Sequence, residues 1–289
     1  MFGAIIGDIV GSRWEFNRTN DYNFEWLSEE NDFTDDTICT VAVADALLND
    51  KDFGESIHDW CNRYPHPMGG YGGRFAAWVH SDDPKPYNSF GNGAAMRVSP
   101  VAHWYEYVDE MLEAAAATAE PSHNHKEGIK GAQTVALAIF RALQYNRKHQ
   151  DAPRHIDEIL QECVQFSGYD IDMPKFTVLN RFDETCQGTV PVALKIISMA
   201  TCFEDAVRLA VSLGADADTL GAIVGSIAEA IWGIPLSIKN QIKAFLPDEM
   251  QTIIQAFYQA RKSINEIADI ENEDLRRLMA ERAKARDNW

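Results

Sequence analysis

Apolar residues along this chain recur at helical spacing and hardly anywhere in alternation. Ile38, Val41, Ala42, Leu47 and Leu48 show the pattern, and it returns in 127–144, 156–166, 189–200, 203–213 and 218–232. Such spacing puts apolar side chains on one face of a helix, whereas a half-buried strand needs a period of two. No sustained run of Val, Ile, Thr and aromatic residues alternates between Asn-Gly or Asp-Gly turns. The expected fold class is therefore all-α, a bundle of many helices.

The interruptions are short. Segments 64–73, 81–86 and 90–93 are rich in Gly and Pro and read as loops between helices. No Ser/Gly linker, low-complexity tract or fixed-period repeat divides the 289 residues, so one domain spanning 1–289 is expected. The charged tail from about 271 to 286 reads as a helix, either a solvated face or a packing lid.

With 46% hydrophobic and 24% charged residues, the chain has the composition of an ordinary soluble protein. Its formal charge of -18 argues against an extensive nucleic-acid surface, because phosphate binding normally requires excess Lys and Arg. Five widely spaced cysteines, an odd number, fit reduced and buried thiols in a cytoplasmic protein. The apolar run at the start is interrupted by Asp8 and lacks a basic flank, unlike a signal peptide. No segment approaches the roughly 18 uninterrupted apolar residues of a membrane span.

Two acidic clusters carry the chemistry. Thr34-Asp35-Asp36-Thr37 and Asp216-Ala217-Asp218-Thr219 each stand directly before an apolar, small-residue stretch of helical spacing. Asp and Thr at such places cap helices, and one acceptor is enough for a cap. Two carboxylates and a flanking Thr at each helix start exceed that need, and their like charges repel unless a cation lies between them. Carboxylates and hydroxyls are hard oxygen ligands, suited to Mg²⁺ or Mn²⁺ rather than Zn²⁺. Small residues follow both clusters, Ala42 and Ala44 after the first, Gly221, Ala222, Gly225 and Ala228 after the second. These would let the two helices approach and bring their mouths together.

Paired aspartates in a helical protein also suggest a diphosphate-binding isoprenoid synthase, which needs a further carboxylate one turn on. Thr37-Ile38-Cys39-Thr40 and Thr219-Leu220-Gly221-Ala222 supply none. A third element, Gly7-Asp8 through Glu15-Phe16, passes from an early helix to a polar loop that carries Glu15. His58, His66, His80 and His103 lack the i, i+4 spacing of a zinc site.

Five segments in order resemble the ADP-ribosylglycohydrolase family. They are Gly7-Asp8 to Glu15, Thr34-Asp35-Asp36-Thr37, Gly91-Asn92-Gly93-Ala94-Ala95-Met96-Arg97, Ser122-His123 and Gly214-Ala215-Asp216-Ala217-Asp218-Thr219. The resemblance implies an orthogonal α-helical bundle with a centre of two Mg²⁺ or Mn²⁺ ions that cleaves the glycosidic bond between ADP-ribose and an acceptor. Thr34, Asp35, Asp36, Asp216, Asp218 and Thr219 match the metal ligands. Glu15 matches a catalytic glutamate on a mobile segment, beside Asp35, Asp36 and Asp218. Ser89, Phe90, Gly91, Asn92 and Gly93 match the loop that binds phosphates and ribose, with main-chain N–H groups near the diphosphate and Phe90 against the adenine. His123 matches the distal-ribose histidine.

Ala215 and Ala217 depart from the family's common pattern, as do the residues after His123. The stretch from Phe16 to Phe33 would be a lid that sets acceptor choice, with Trp14, Phe16, Tyr22, Phe24 and Trp26 as its aromatic surface or as residues packed on the core. The resemblance implies an ADP-ribosylated protein or small molecule as substrate, and no membrane partner is expected. Two alternatives stand beside this reading. One is an ADP-ribose-binding or structural protein of the same fold without turnover; the other is a hydrolase of another small ADP-ribosyl conjugate or N-glycoside.

Overall fold

α12, Ala217–Trp232, is buried at every one of its residues, so the rest of the molecule is arranged around it. A helix covered on every side can only be a central element. The computed structural model describes residues 1–149, 151–261, 281, 282, 284 and 286. Before α12 run α1 (Phe2–Gly11), α2 (Asp35–Asn49), α3 (Phe53–Arg63), α4 (Gly73–Val79), α5 (Gly93–Met96) and α6 (Ser99–Trp104). There follow α7 (Val108–Ala119), α8 (Lys126–His149), α9 (Ile156–Ser167), α10 (Cys186–Met199) and α11 (Phe203–Val211). After it come α13 (Leu236–Ile242) and α14 (Asp248–Arg261). Among the described residues there is no strand, only an isolated antiparallel bridge between Gly91 and Thr185. The chain is all-α, as its periodicity requires.

Local signals set the helix ends. Thr34 caps α2 by accepting from the Asp36 N–H, Asp52 caps α3 and Thr185 caps α10. Gly168 and Gly233 stop α9 and α12 at positive φ. Four of the five cysteines are buried free thiols as expected, but Cys202 is exposed. No described helix is long and apolar enough to cross a membrane. The expected tail helix falls largely outside the described residues. Of its described members, Arg282 donates to the Ser198 carbonyl and to Asp157, and Arg286 to Asp205.

The partner of α12 differs from the expectation. Its small residues face α1 rather than α2, through Gly3, Gly7 and Gly11 on one side and Ala217, Gly221 and Gly225 on the other. A Cβ placed on Gly7 would stand 1.9 Å from the Gly221 carbonyl oxygen, and one on Gly225 would stand 2.1 Å from the Gly3 oxygen. The two backbones therefore lie against each other, with no room for any side chain between them. α2 is joined to α12 where both helices begin, through Thr219 and Asp36. Its Ala42 and Ala44 are buried in the wider core.

One carboxylate ties α2 to this pair. Asp8, fully buried on α1, accepts from the Thr34 and Thr37 N–H groups at 3.0 Å each. It also accepts from the Thr34 and Thr37 hydroxyls at 2.7 and 2.5 Å. Two orphan donors of the α2 start are thus satisfied from a neighbouring helix. Nothing in the spacing assigned Asp8 this task; a single Asp between Ile5-Ile6-Gly7 and Ile9-Val10 was the available signal.

Gly7→Ala is expected to destabilise the protein by about 3 kcal/mol in urea unfolding, although Ala is the better helix former by about 1 kcal/mol. An unchanged unfolding midpoint would show that the α1–α12 spacing imposes no constraint.

Candidate active site

The two acidic clusters, far apart in sequence, meet where α2 and α12 begin. Thr219 Oγ1 donates to Asp36 Oδ2 at 3.2 Å. Helical geometry in α1 continues through a 3-10 turn, Ser12–Trp14, and delivers Glu15 to the same place. Glu15, Asp216 and Asp218 each bring one carboxylate oxygen within 4.8 Å of the others. Asp35 and Asp36 lie outside that triangle but line the same cavity, of about 400 Å³, as does Thr219. Thr34 does not line it: its hydroxyl is held between Asp8 Oδ1 and the Asp36 N–H.

Burial and repulsion hold these carboxyls above their ordinary range. Burial first, then Asp216, Asp35 and Asp8, pushes Glu15 up to about 8. Burial, then Asp8 and Asp216, takes Asp35 to about 7. Asp216 rises to about 6 through burial, against hydrogen bonds from Asp218 and Asn92. Asp36 and Asp218 are raised well above the carboxylate range, by burial and then by their acidic neighbours.

The loop Ser89–Gly93 forms another part of the cavity wall. Its amides are less available than expected: Gly91 N–H donates to Ser89 Oγ at 3.1 Å and Asn92 N–H to the Glu184 carbonyl at 2.7 Å. The Asn92 side chain donates to Asp216 Oδ2 at 2.7 Å and to Thr189 Oγ1 at 3.2 Å, so it orients a carboxylate. Phe90 is 43% exposed and meets His125 edge-on at 5.3 Å. His123 is buried against Gly93, Phe75 and Tyr87. Arg74 donates to the Tyr87 carbonyl and lines the cavity.

Most of the expected lid is tied down. Asn31 Nδ2 donates to the Ile9 carbonyl at 2.7 Å, Tyr22 OH to Asp205 at 2.6 Å, and Arg208 to the Phe24 carbonyl at 3.0 Å. Phe24 is buried, with Trp14 and Trp26 against it. Phe16 alone of these aromatics stands out, 72% exposed at the cavity and stacked on Phe182. Gly69, at φ +75°, closes on Glu15 so tightly that a Cβ there would be 2.5 Å from Glu15 Oε2. Larger hollows, about 850 Å³ beside Trp26 and Arg208 and 730 Å³ beside Phe2 and Tyr258, lack such a convergence of buried carboxylates.

A family model for ADP-ribosylglycohydrolase matches residues 1–281. The chain belongs to the ADP-ribosylglycohydrolase family. It is 27% identical to ADP-ribosylhydrolase ARH3 of Homo sapiens, over 81% of this chain and 84% of that one. It is 24% identical to ADP-ribosylarginine hydrolase Tri1 of Pseudomonas putida (strain GB-1), over 81% and 70% respectively. A solved chain from an ADP-ribosylglycohydrolase-related protein complex shares its fold, with a TM-score of 0.68 at 24% identity, covering 90% of this chain and 95% of that one. The ADP-ribosylglycohydrolase family is one of glycohydrolase enzymes, and the cavity is the place in this member where buried acidic groups converge.

The donor set of this glycohydrolase fits a hard cation. Asp36 Oδ1 and Asp218 Oδ1 are buried and accept no hydrogen bond. A carboxylate oxygen in that condition is costly unless a positive group reaches it, and every available donor here is oxygen.

The raised carboxyls predict an unusual pH response. Between the ordinary carboxyl value of about 4 and the native values, the native state binds more protons than the unfolded state, so stability falls as pH rises. In EDTA, the melting temperature of this ADP-ribosylglycohydrolase should drop between about pH 5 and 8, the window spanned by the Asp216, Asp35 and Glu15 shifts. Mg²⁺ or Mn²⁺ should restore it most at the alkaline end. Asp218→Asn should raise the melting temperature in EDTA and erase the response to the ion; a full response in that variant would contradict the assignment.

Proposed function

We propose that this chain, acting as one domain, hydrolyses the glycosidic bond between ADP-ribose and an acceptor on a protein or small molecule. Two divalent cations, Mg²⁺ or Mn²⁺, would be held by Asp35, Asp36, Asp216, Asp218 and Thr219. The reading rests above all on the orphaned oxygens of Asp36 and Asp218, on two helices joined through Thr219. Thr34, which the resemblance adds to that set, stands outside the cavity lining with its hydroxyl engaged by Asp8 and the Asp36 N–H, where it fixes the α2 start. The names of the similar hydrolases, together with family membership, support an ADP-ribosylated substrate.

Bound cations would supply positive charge that orients the vicinal ribose hydroxyls and the attacking water. Glu15 reaches the cavity from the end of the α1 turn and accepts the water's proton. Burial, the largest cause of its raised pKa, makes the ionised Glu15 carboxylate a stronger base than an exposed one. Asn92 holds Asp216 in one orientation, and Gly69 leaves room for the Glu15 carboxylate. Phe90 would present an exposed ring to the adenine, and Phe16 offers an exposed ring at the cavity for contact with an acceptor. The odd number and wide spacing of the cysteines favour a reducing cytoplasm as its location.

The test is release of free ADP-ribose from ADP-ribosylated arginine, serine and nucleic-acid substrates, with Mg²⁺, with Mn²⁺ and with EDTA. Release that requires the ion is expected from one acceptor class. Asp36→Asn should lower kcat by at least about a thousandfold, since positioning effects of this size follow loss of an oriented reactant. Glu15→Gln should lower kcat far more than ADP-ribose affinity. Binding of ADP-ribose with no release from any substrate would favour the binding-protein alternative.

A further inference from the structure

Arg97, on the residue after α5, is a cation with no exposure. Among the described residues it forms no ion pair, and its Nε and Nη1 donate to no partner; only Nη2 is hydrogen-bonded, and the guanidinium lies 5.8 Å from the Phe75 ring centroid. That nitrogen donates to the Thr118 carbonyl at 2.8 Å and to Ser122 Oγ at 2.9 Å. Ser122, equally buried, has its Oγ 2.7 Å from His123 Nδ1. The His123 ring lies between Phe75 and Tyr87, with centroids 6.1 and 6.0 Å away, and its Nε2 faces the Gly91–Gly93 floor of the cavity.

The hydrogen count along this line has one solution. A guanidinium only donates, so Ser122 Oγ must accept from Arg97. The hydroxyl keeps one hydrogen, and His123 Nδ1 is the acceptor within reach; any other arrangement leaves that hydrogen buried and unpaired. Nδ1 therefore accepts, and in a neutral ring the proton sits on Nε2. We infer that Arg97 and Ser122 are positioning residues that fix His123 in its Nε2–H tautomer, presenting a hydrogen-bond donor to an oxygen of the bound ligand.

Three further observations agree. Burial, then the charges of Arg97 and Arg74, keeps the imidazole well below its ordinary pKa, so the ring stays neutral and single-donor. Gly93 has no side chain where a Cβ would stand 2.9 Å from Nε2, so the donor lies directly on the cavity floor. Within the described residues, Nε2 has no hydrogen-bond partner of its own, unlike Nδ1. A buried, unpaired cation is costly, and a relay that holds a ligand-facing group in one protonation form is a reason to retain it.

The inference rests on the proposed function only in naming ADP-ribose as the ligand. Long-range ¹⁵N–¹H NMR of the histidine rings reads the tautomer directly, with the His123 signals recognised by their loss in His123→Gln. The wild-type ring should carry its proton on Nε2. In Ser122→Ala it should shift toward Nδ1–H, and ADP-ribose affinity should fall about tenfold, the scale of one weakened ligand hydrogen bond. Ser122→Thr, which retains the hydroxyl, should keep both the tautomer and the affinity. A wild-type ring protonated on Nδ1 would overturn the relay whether or not any variant folds, and so would Ser122→Ala with tautomer and affinity unchanged. The expected tautomer in a protein that does not bind ADP-ribose would sustain the relay and overturn the substrate reading.

Discussion

The glycine contact between α1 and α12 is the constraint on which the rest of the structure depends. With Gly3, Gly7 and Gly11 laid against Ala217, Gly221 and Gly225, the two backbones share one position in space. Whatever stands at the end of either helix is then placed relative to the other. Glu15 follows from the last turn after α1, Asp216 and Asp218 from the first turn of α12, and the three converge. Asp8 extends the same logic to α2 by holding the start of that helix, and with it Asp35 and Asp36. Side-chain packing alone, with its tolerance for repacking, would fix such positions less narrowly than backbone contact does.

Stability and chemistry oppose each other at this convergence. Five carboxylates in and around one cavity repel, and burial raises all of them, so the folded state works against the charged form of its own site. A large, closely packed core offsets that cost elsewhere in the molecule. The same opposition recurs on a smaller scale at Arg97, a buried cation with two nitrogens that find no hydrogen-bond partner. Both features violate ordinary rules for protein interiors, and both line the cavity where ligand and ions are proposed to bind.

Much of this was legible before any coordinates. Periodicity placed α2, α8, α9, α10, α11 and α12, because each has enough turns to repeat its apolar pattern. α5 and α6, of four and six residues, are too short to show one. The redundancy of carboxylates at 35–36 and 216–218 exceeded what capping needs, and the structure gives the excess a shared cavity. Other readings failed for identifiable reasons. α2 appeared to be the partner of α12 because Ala42 and Ala44 are small, but the tighter match of glycine spacing lay on α1. The segment after Glu15, a lid by the resemblance, is anchored by Asn31, Tyr22 and Arg208 through bonds to distant elements.

By itself the sequence determined what is periodic or local: an all-α chain, the capping residues at the start of α2, and the types of group available for chemistry. Those properties arise within a few residues of one another. Tertiary structure alone decided that Asp8 would cap a helix it does not belong to, that Asn92 would steady Asp216, and that Arg97 would reach His123 through Ser122. Each joins groups whose proximity depends on how whole helices cross. Helix crossing is set by where two backbones can touch, a property of the packed pair that neither segment displays alone.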